Sequence, residues 1–103
     1  MKYVVSWTFR LGGSAAENEA ATKRLLAVYS KWTPVPSTTY HQFVSRLDGN
    51  GGFAVVETDN PMDLAEGVSK FGFAMEYQIY PVVDVAEGVQ SVQEGVEFRE
   101  SIG

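Results

Sequence analysis

Apolar and polar residues alternate with a period of two in four segments of the chain, which predicts four β-strands. In the first segment Tyr3, Val5, Trp7 and Phe9 fall on one side, and Val4 falls on the other. A run rich in glycine, Asp48–Gly52, separates the second segment from the third and predicts a hairpin turn. The four predicted strands are residues 2–9, 38–47, 53–58 and 75–83.

Two segments between the strands have the periodicity of amphipathic helices. The first begins at a capping box formed by Ser14 and Glu17, in which each side chain binds the other residue's backbone amide. It ends before Pro34, because proline lacks an amide donor and disfavours helix in the residue before it. Asn60 and Pro61 are typical of the start of the second helix. The apolar stripes of the two helices are Ala21, Leu25, Val28 and Trp32 in the first and Leu64, Val68 and Phe71 in the second.

A third helix is predicted after Asp84, which has the character of an N-cap residue. Its apolar positions recur at four, three and four residues among glutamates and glutamines, and they are Val85, Val89, Val92 and Val96. Gly88 and Gly95 each cost such a helix about 1 kcal/mol relative to alanine. We therefore expect this helix to depend on docking against another surface.

The predicted order of elements is β-α-β-β-α-β-α. The first six form the split pattern of the ferredoxin-like α+β fold, with two helices on one face of an antiparallel sheet. At 103 residues the chain has room for one domain, so residues 1–103 are predicted to form a single ferredoxin-like domain with an added C-terminal helix.

Both faces of the predicted sheet carry apolar side chains, although two helices can cover only one of them. An uncovered face of this kind would leave an apolar patch that monomers rarely tolerate. The sequence therefore predicts a homodimer that forms a dimeric α/β barrel, and the alternative is a monomer whose third helix folds back over the open face. The smaller residues are expected to face the helices (Val4, Ser6, Thr8, Ala54, Val56, Thr58), and the larger ones the second sheet (Tyr3, Val5, Trp7, Phe9, Phe53, Val55).

Composition excludes several classes of function. The chain has no cysteine, a single histidine and a net charge of −5, so neither a thiolate zinc site nor a thiol nucleophile is possible. Its basic residues are scattered, which argues against nucleic-acid binding. No signal peptide or apolar run long enough to span a membrane is apparent. We therefore expect a cytoplasmic protein with no metal, no cofactor, no nucleic-acid partner and no membrane association.

Three segments resemble a family of short, uncharacterised bacterial proteins of the dimeric α+β barrel superfamily. They are MKYVVSWTF, GNGGFAVVETDNP and YPVVD. The resemblance implies a ferredoxin-like protomer and a dimer with its sheets face to face, but no activity, because none is assigned to the family. Relatives often have a Trp-His pair late in the second strand, where this chain has Val44-Ser45. The wider superfamily includes cofactor-free monooxygenases, small-ring isomerases, haem-degrading enzymes and binding proteins, and fold does not decide among them.

Few residues are candidates for chemistry. His41 is a possible general base, since its ordinary pKa is near neutrality. Glu57 would have a raised pKa if it points into a buried space. Arg46 and Lys2 are possible carboxylate anchors. Surface or half-buried structural roles remain the alternative for each of them.

Aromatic residues give the sequence its second set of candidates. Trp7, Phe43, Tyr77 and Tyr80 are candidate ligand-lining residues, and core or dimer packing is the alternative role for each. The six residues predicted to form the site are Trp7, His41, Phe43, Arg46, Glu57 and Tyr77.

Two functional hypotheses follow. The first is a homodimer that binds an elongated apolar small molecule, such as a lipid-like or aromatic acid, in a largely apolar pocket. The second is a cofactor-free enzyme, such as a quinol-type monooxygenase or an isomerase, that uses His41 or Glu57 for proton transfer.

Overall fold

The computed structural model describes residues 1–103, and it contains the seven elements in the predicted order. Each β-strand and α-helix has the following bounds: β1 Lys2–Phe9, α1 Ala15–Lys31, β2 Thr39–Ser45, β3 Gly52–Glu57, α2 Met62–Phe71, β4 Met75–Val82 and α3 Val85–Ile102. The first strand has its predicted bounds, and the others differ from the predicted bounds by one or two residues at an end.

The four strands form one antiparallel sheet in the order β2-β3-β1-β4. This order and the two helices between the strands confirm the ferredoxin-like α+β fold. Strand β4, which contains Pro81, lies at an edge of the sheet. An edge is where a sheet tolerates proline, which has no amide hydrogen to donate. Strands β2 and β4 are therefore opposite edges of the same sheet.

The N-terminal caps of the three helices agree in part with those predicted from the sequence. The hydroxyl of Ser14 accepts a hydrogen bond from the amide of Glu17, and the capping box is complete. At α2 the amide of Met62 donates to the side-chain oxygen of Asn60, while Pro61 occupies the N-cap position. Asp84 occupies the N-cap position of α3 but makes no side-chain cap, because its carboxylate accepts from Lys2 Nζ at 3.0 Å instead.

The predicted assignment of residues to the two sheet faces is wrong for β1 and right for Ala54, Val56, Phe53 and Val55 of β3. Val5 pairs with Ala54, and Tyr3 pairs with Val56, so these four share the face that the helices cover and form the core with Leu64. The large residues of β1 thus face the helices, and the smaller ones lie on the open face. Phe53 and Val55 do lie on the open face, but with Val4 and Ser6, which are their register partners.

The hairpin between β2 and β3 depends on Gly51, which has a φ of +116° and would place a Cβ atom 1.9 Å from the carbonyl oxygen of Trp7. An alanine there must move the backbone of β1 as well as adopt an unfavourable φ. We expect Gly51→Ala to lower the free energy of unfolding by more than about 1 kcal/mol, measured by urea denaturation. Gly12→Ala is the control, because nothing lies within 4 Å of its Cβ position. Equal stability of the two variants would contradict the prediction.

Helix α3 extends away from the rest of the chain. None of its residues is buried, and its side chains form no hydrogen bond or ion pair with the other elements. The molecule measures 64 × 31 × 21 Å, with a radius of gyration of 18.3 Å, whereas a compact domain of this length has about 13 Å. The alternative in which this helix folds back over the open sheet face is therefore not what the structure shows. No helix is long and apolar enough to cross a membrane.

Candidate apolar ligand site

A cavity of about 340 Å³ lies between the helix-covered face of the sheet and helices α1 and α2. Sixteen of its 19 lining residues are hydrophobic, and none carries a charged side chain. Its volume is in the range of small-molecule sites, roughly 300–1,000 Å³. The residues used below come from the sheet (Trp7, Tyr40, Phe43, Ser45, Tyr77) and from the helices (Leu26, Tyr29, Trp32, Val68, Phe71).

The cavity wall is built around Trp32, the residue that ends α1. Its indole ring meets Tyr40, Phe43 and Phe71 edge-on, with ring centroids 5.5–6.1 Å apart. The indole N–H donates to Glu66 of α2 at 3.3 Å, which holds the ring between the two helices. Edge-to-face pairs of this kind favour one arrangement of the rings, so the wall is preorganised.

The mouth of the cavity lies between α1 and the edge strand β2. Leu26 and Tyr29 of α1 line the cavity and are also 64% and 55% exposed. Phe43 of β2 also lines the cavity and is 46% exposed. Large apolar side chains therefore surround an open entrance rather than a closed core.

The polar groups inside are mostly phenols. Burial raises the pKa of Tyr77 to about 12, and the nearby Tyr40 adds to this shift. Burial also raises the pKa of Tyr40, with a further contribution from the charge of Glu66. Tyr77 donates only to the thioether sulfur of Met75, at 3.5 Å, which is a weak acceptor. Both phenols thus stay neutral and can donate a hydrogen bond to a ligand.

We expect the ultraviolet titration of the five tyrosines to include a late step near pH 12 that disappears in Tyr77→Phe. Because the pKa is higher in the folded protein than the ordinary value of 10, the stability that the neutral phenol contributes is complete below pH 10 and is lost as the pH rises toward 12. Tyr80→Phe is the control, since this residue lies on the other sheet face, opposite Val4. A late step that survives Tyr77→Phe would contradict the prediction.

The six candidate residues do not form one site. Trp7, Phe43 and Tyr77 line the cavity. His41 and Glu57 pair on the open face of the sheet, near the start of β2. Arg46 follows the cavity residue Ser45 and binds Asp48 within the hairpin, so its guanidinium is already partnered. Lys2 is likewise occupied by Asp84.

The His41–Glu57 pair results from an irregularity in the sheet. The register between β2 and β3 shifts between Tyr40 and Gln42, and His41 Nε2 then lies 2.8 Å from Glu57 Oε1. The hydrogen bond from His41 is the main reason that the pKa of Glu57 is lowered from its usual value. The burial that would have raised this pKa is absent, because the carboxylate is half exposed and bonded in its charged form, which agrees with the alternative of a solvent-exposed Glu57.

A depressed carboxyl pKa contributes stability above the unfolded value of 4.5, and this stability is lost as the pH falls through the lower folded value. We expect the difference in melting temperature between wild type and Glu57→Gln to be present at neutral pH and to shrink below pH 4.5. Glu76→Gln is the control, since this exposed residue of β4 has no ion pair. A difference that does not change with pH would refute this role of the pair.

Sequence reasoning missed Trp32, Tyr40 and Phe71 as site residues. Trp32 and Phe71 were recognised as members of apolar helix stripes, which is the pattern of any core-facing residue. The available signal was the concentration of aromatic side chains at positions that face one side of the sheet. No group of three or more acidic, histidine or cysteine side chains comes together in the structure to hold a metal ion.

The topology defines a ferredoxin-like α+β domain. Residues 1–96 match a family described as a domain of unknown function, DUF3303. The chain belongs to this family, which confirms the resemblance to an uncharacterised group. No protein with a curated description matches the sequence.

The chain also matches solved structures at low sequence identity. The Arabidopsis thaliana protein At3g17210 is 15% identical, with 81% of this chain and 95% of that chain covered and a TM-score of 0.31. SnoaB, a cofactor-independent oxygenase from Streptomyces nogalater, is 17% identical, with 81% and 92% covered and a TM-score of 0.31.

Proposed function

We propose that the protein is a homodimer that binds an elongated apolar small molecule, a lipid-like or aromatic acid, in the cavity of each protomer. The observation that carries the proposal is the cavity itself, with its aromatic wall, its neutral phenols and no charged lining residue. Such a lining favours apolar and aromatic surface, and a few hydrogen-bond donors orient the ligand.

The polar end of the ligand belongs at the mouth of the cavity. A carboxylate deep in the cavity would lose its hydration without gaining a cation, which is costly. At the mouth the carboxylate keeps its contact with water. The ligand is therefore expected to enter with its apolar end first.

The dimer is supported by the open face of the sheet. This face carries a set of apolar side chains that no element of the same chain covers: Val4, Val44, Phe53, Val55, Tyr80 and Val82. Packing two such faces together, about 10 Å apart, would bury them in one interior. A two-fold axis makes the contact self-complementary.

Native mass spectrometry followed by denaturing extraction tests the proposal directly, because it reports the number of subunits and any retained molecule. Thermal shift with decanoic acid and with decanol then separates the apolar contribution from that of the carboxylate. We expect a dimer and a rise in melting temperature with both compounds, as binding to the folded state requires. A monomer, or a dimer whose melting temperature neither compound changes, would overturn the proposal.

A second candidate function is a cofactor-free enzyme that transfers a proton through His41. The observation that favours it is the 2.8 Å contact between His41 and Glu57, because a carboxylate that orients an imidazole is a common arrangement in general base catalysis. The pair lies on the open face, so its substrate would occupy the space between the two sheets. His41→Ala should then abolish turnover and leave the dimer intact, whereas unchanged turnover would eliminate this function.

A further inference from the structure

We propose that α3 is an exchanged arm whose valine stripe lies on the partner's α1 and closes the mouth of the partner's cavity. This inference rests on the dimer of the proposed function and adds a second role to the partner copy. Each cavity would be complete only in the presence of the other chain.

The first argument is that the valine stripe of α3 packs against no other part of the chain. Val89 and Val92 are 59% and 68% exposed, although they belong to a regular seam with a spacing of four and three residues. A narrow seam of this kind is typical of a helix that packs against a single other helix. The two glycines within α3 lower its intrinsic stability, which makes an isolated helix in water unfavourable.

The second argument is placement. Helix α3 begins three residues after β4, which is one edge of the sheet, whereas the cavity mouth lies at β2, the opposite edge. When two sheets pack face to face about a two-fold axis parallel to the strands, β4 of each copy lies over β2 of the other. The arm of each protomer then leaves the sheet beside the partner's cavity mouth.

The third argument is charge. Helix α3 carries four glutamates and one arginine, so two such helices packed together would repel each other. Residues 22–31 of α1 carry no carboxylate and three cations, of which Arg24 and Lys31 are without an ion pair and Lys23 pairs with Glu19 of the preceding turn. Charge complementarity of this kind selects one partner surface over another. The acidic arm therefore matches α1 of the second copy better than it matches the second arm.

The apolar surfaces also match. Leu26 and Tyr29 project from α1 beside the mouth, one turn apart. They can pack against the valine seam as knobs from one helix pack into holes of another. An arm in this position would exclude water from the cavity and restrict the exchange of a bound ligand.

Disulfide trapping tests this arrangement, because the native chain has no cysteine. Full-length Leu26→Cys and Val92→Cys proteins are mixed, allowed to exchange subunits and oxidised mildly, and the covalent species are identified by mass. We expect the mixed dimer to be the main product. Gln90→Cys replaces Val92→Cys in the control, since Gln90 lies on the other side of α3, and its yield with Leu26→Cys should be severalfold lower.

Each alternative outcome has a separate meaning. If Val92→Cys links mainly to itself, the two arms pair with each other and the inference is wrong. If sedimentation shows a dimer but Leu26→Cys links no better to Val92→Cys than to Gln90→Cys, the arm lies elsewhere, and only the dimer survives. If the protein sediments as a monomer, the inference and the proposed function both fail.

The trapped dimer provides a second readout. The single disulfide closes the cavity of the Leu26→Cys chain only. The release of the dye anilinonaphthalene sulfonate from that cavity should slow roughly tenfold relative to the same protein after reduction, since closure of a site acts mainly on dissociation, and the dye in the other cavity should leave at the unlinked rate. Unchanged release from a fully cross-linked dimer would show that α3 does not cover the mouth.

Discussion

Phe53→Lys is expected to convert the proposed dimer into a folded monomer. Phe53 lies on the open face of the sheet and is 44% exposed in the single chain, although its backbone is fixed in the middle of the sheet by pairing with Ser6 and Val44. A side chain at this place has nothing to cover it except a second sheet. The protomer should tolerate the change, because the side chain does not contribute to the core beneath the helices.

The expected effect is large because the substituted residue occurs on both sides of a two-fold interface. Losing the burial of one phenylalanine costs about 2 kcal/mol, so two cost about 4 kcal/mol, which is roughly a thousandfold in the dissociation constant. The charge of the lysine adds to this cost in an apolar contact. Sedimentation velocity at low micromolar concentration measures the change, and circular dichroism checks that the protomer remains folded.

Phe73→Lys is the matched control for this substitution. Phe73 is 52% exposed but lies in the turn after α2, away from the open face of the sheet. The Phe73→Lys variant should remain dimeric. If both variants sediment as dimers, the open face is not the interface, and if both become monomers, the loss reflects a general effect of replacing an exposed phenylalanine.

The sequence predicted the elements of this fold because each is defined by local signals. The capping box at Ser14 and the prolines after Trp32 limit α1, and the glycines after Asp48 separate two strands. Signals of this kind depend on backbone hydrogen bonds within a few residues. They could be interpreted without knowledge of the rest of the molecule.

The orientation of the sheet could not be predicted in the same way. A period of two divides the residues of one strand into two sets, but it does not say which set of the next strand lies on the same face. Grouping Phe53 with Val5 was a one-residue error in register, since Val5 pairs with Ala54. This error placed the residues of β3 on the wrong face relative to those of β1.

The six predicted site residues belong to three separate regions of the structure: the cavity, the open face of the sheet and the hairpin. Trp7, Phe43 and Tyr77 do lie together, but their contact depends on pairing between strands that are distant in sequence. The His41–Glu57 contact depends on the irregularity at Tyr40 and Gln42, which no sequence pattern indicates. The cavity exists because large aromatic side chains separate the helices from the sheet, and this depends on packing.

Val68→Trp is expected to remove ligand binding and leave the fold and the dimer intact. Val68 lies on the cavity side of α2 and lines the cavity, so an indole in its place would occupy volume that the ligand needs. The space is about 340 Å³, which leaves room for the larger side chain at a modest cost in stability, about 1–3 kcal/mol if neighbouring side chains must shift. The affinity for decanoic acid, measured by calorimetry, should fall by at least about tenfold.

Ala65→Trp separates filling of the cavity from the general effect of adding a tryptophan to α2. Ala65 is on the same helix but is exposed to solvent, and its substitution should leave the affinity unchanged. Normal binding by Val68→Trp would mean that the ligand occupies the space between the two sheets rather than the space beneath the helices. In that case Phe53→Lys should abolish binding together with the proposed dimer. A ligand held beneath the helices should instead remain bound to the Phe53→Lys monomer, with faster release if the proposed cover by the partner's α3 is lost.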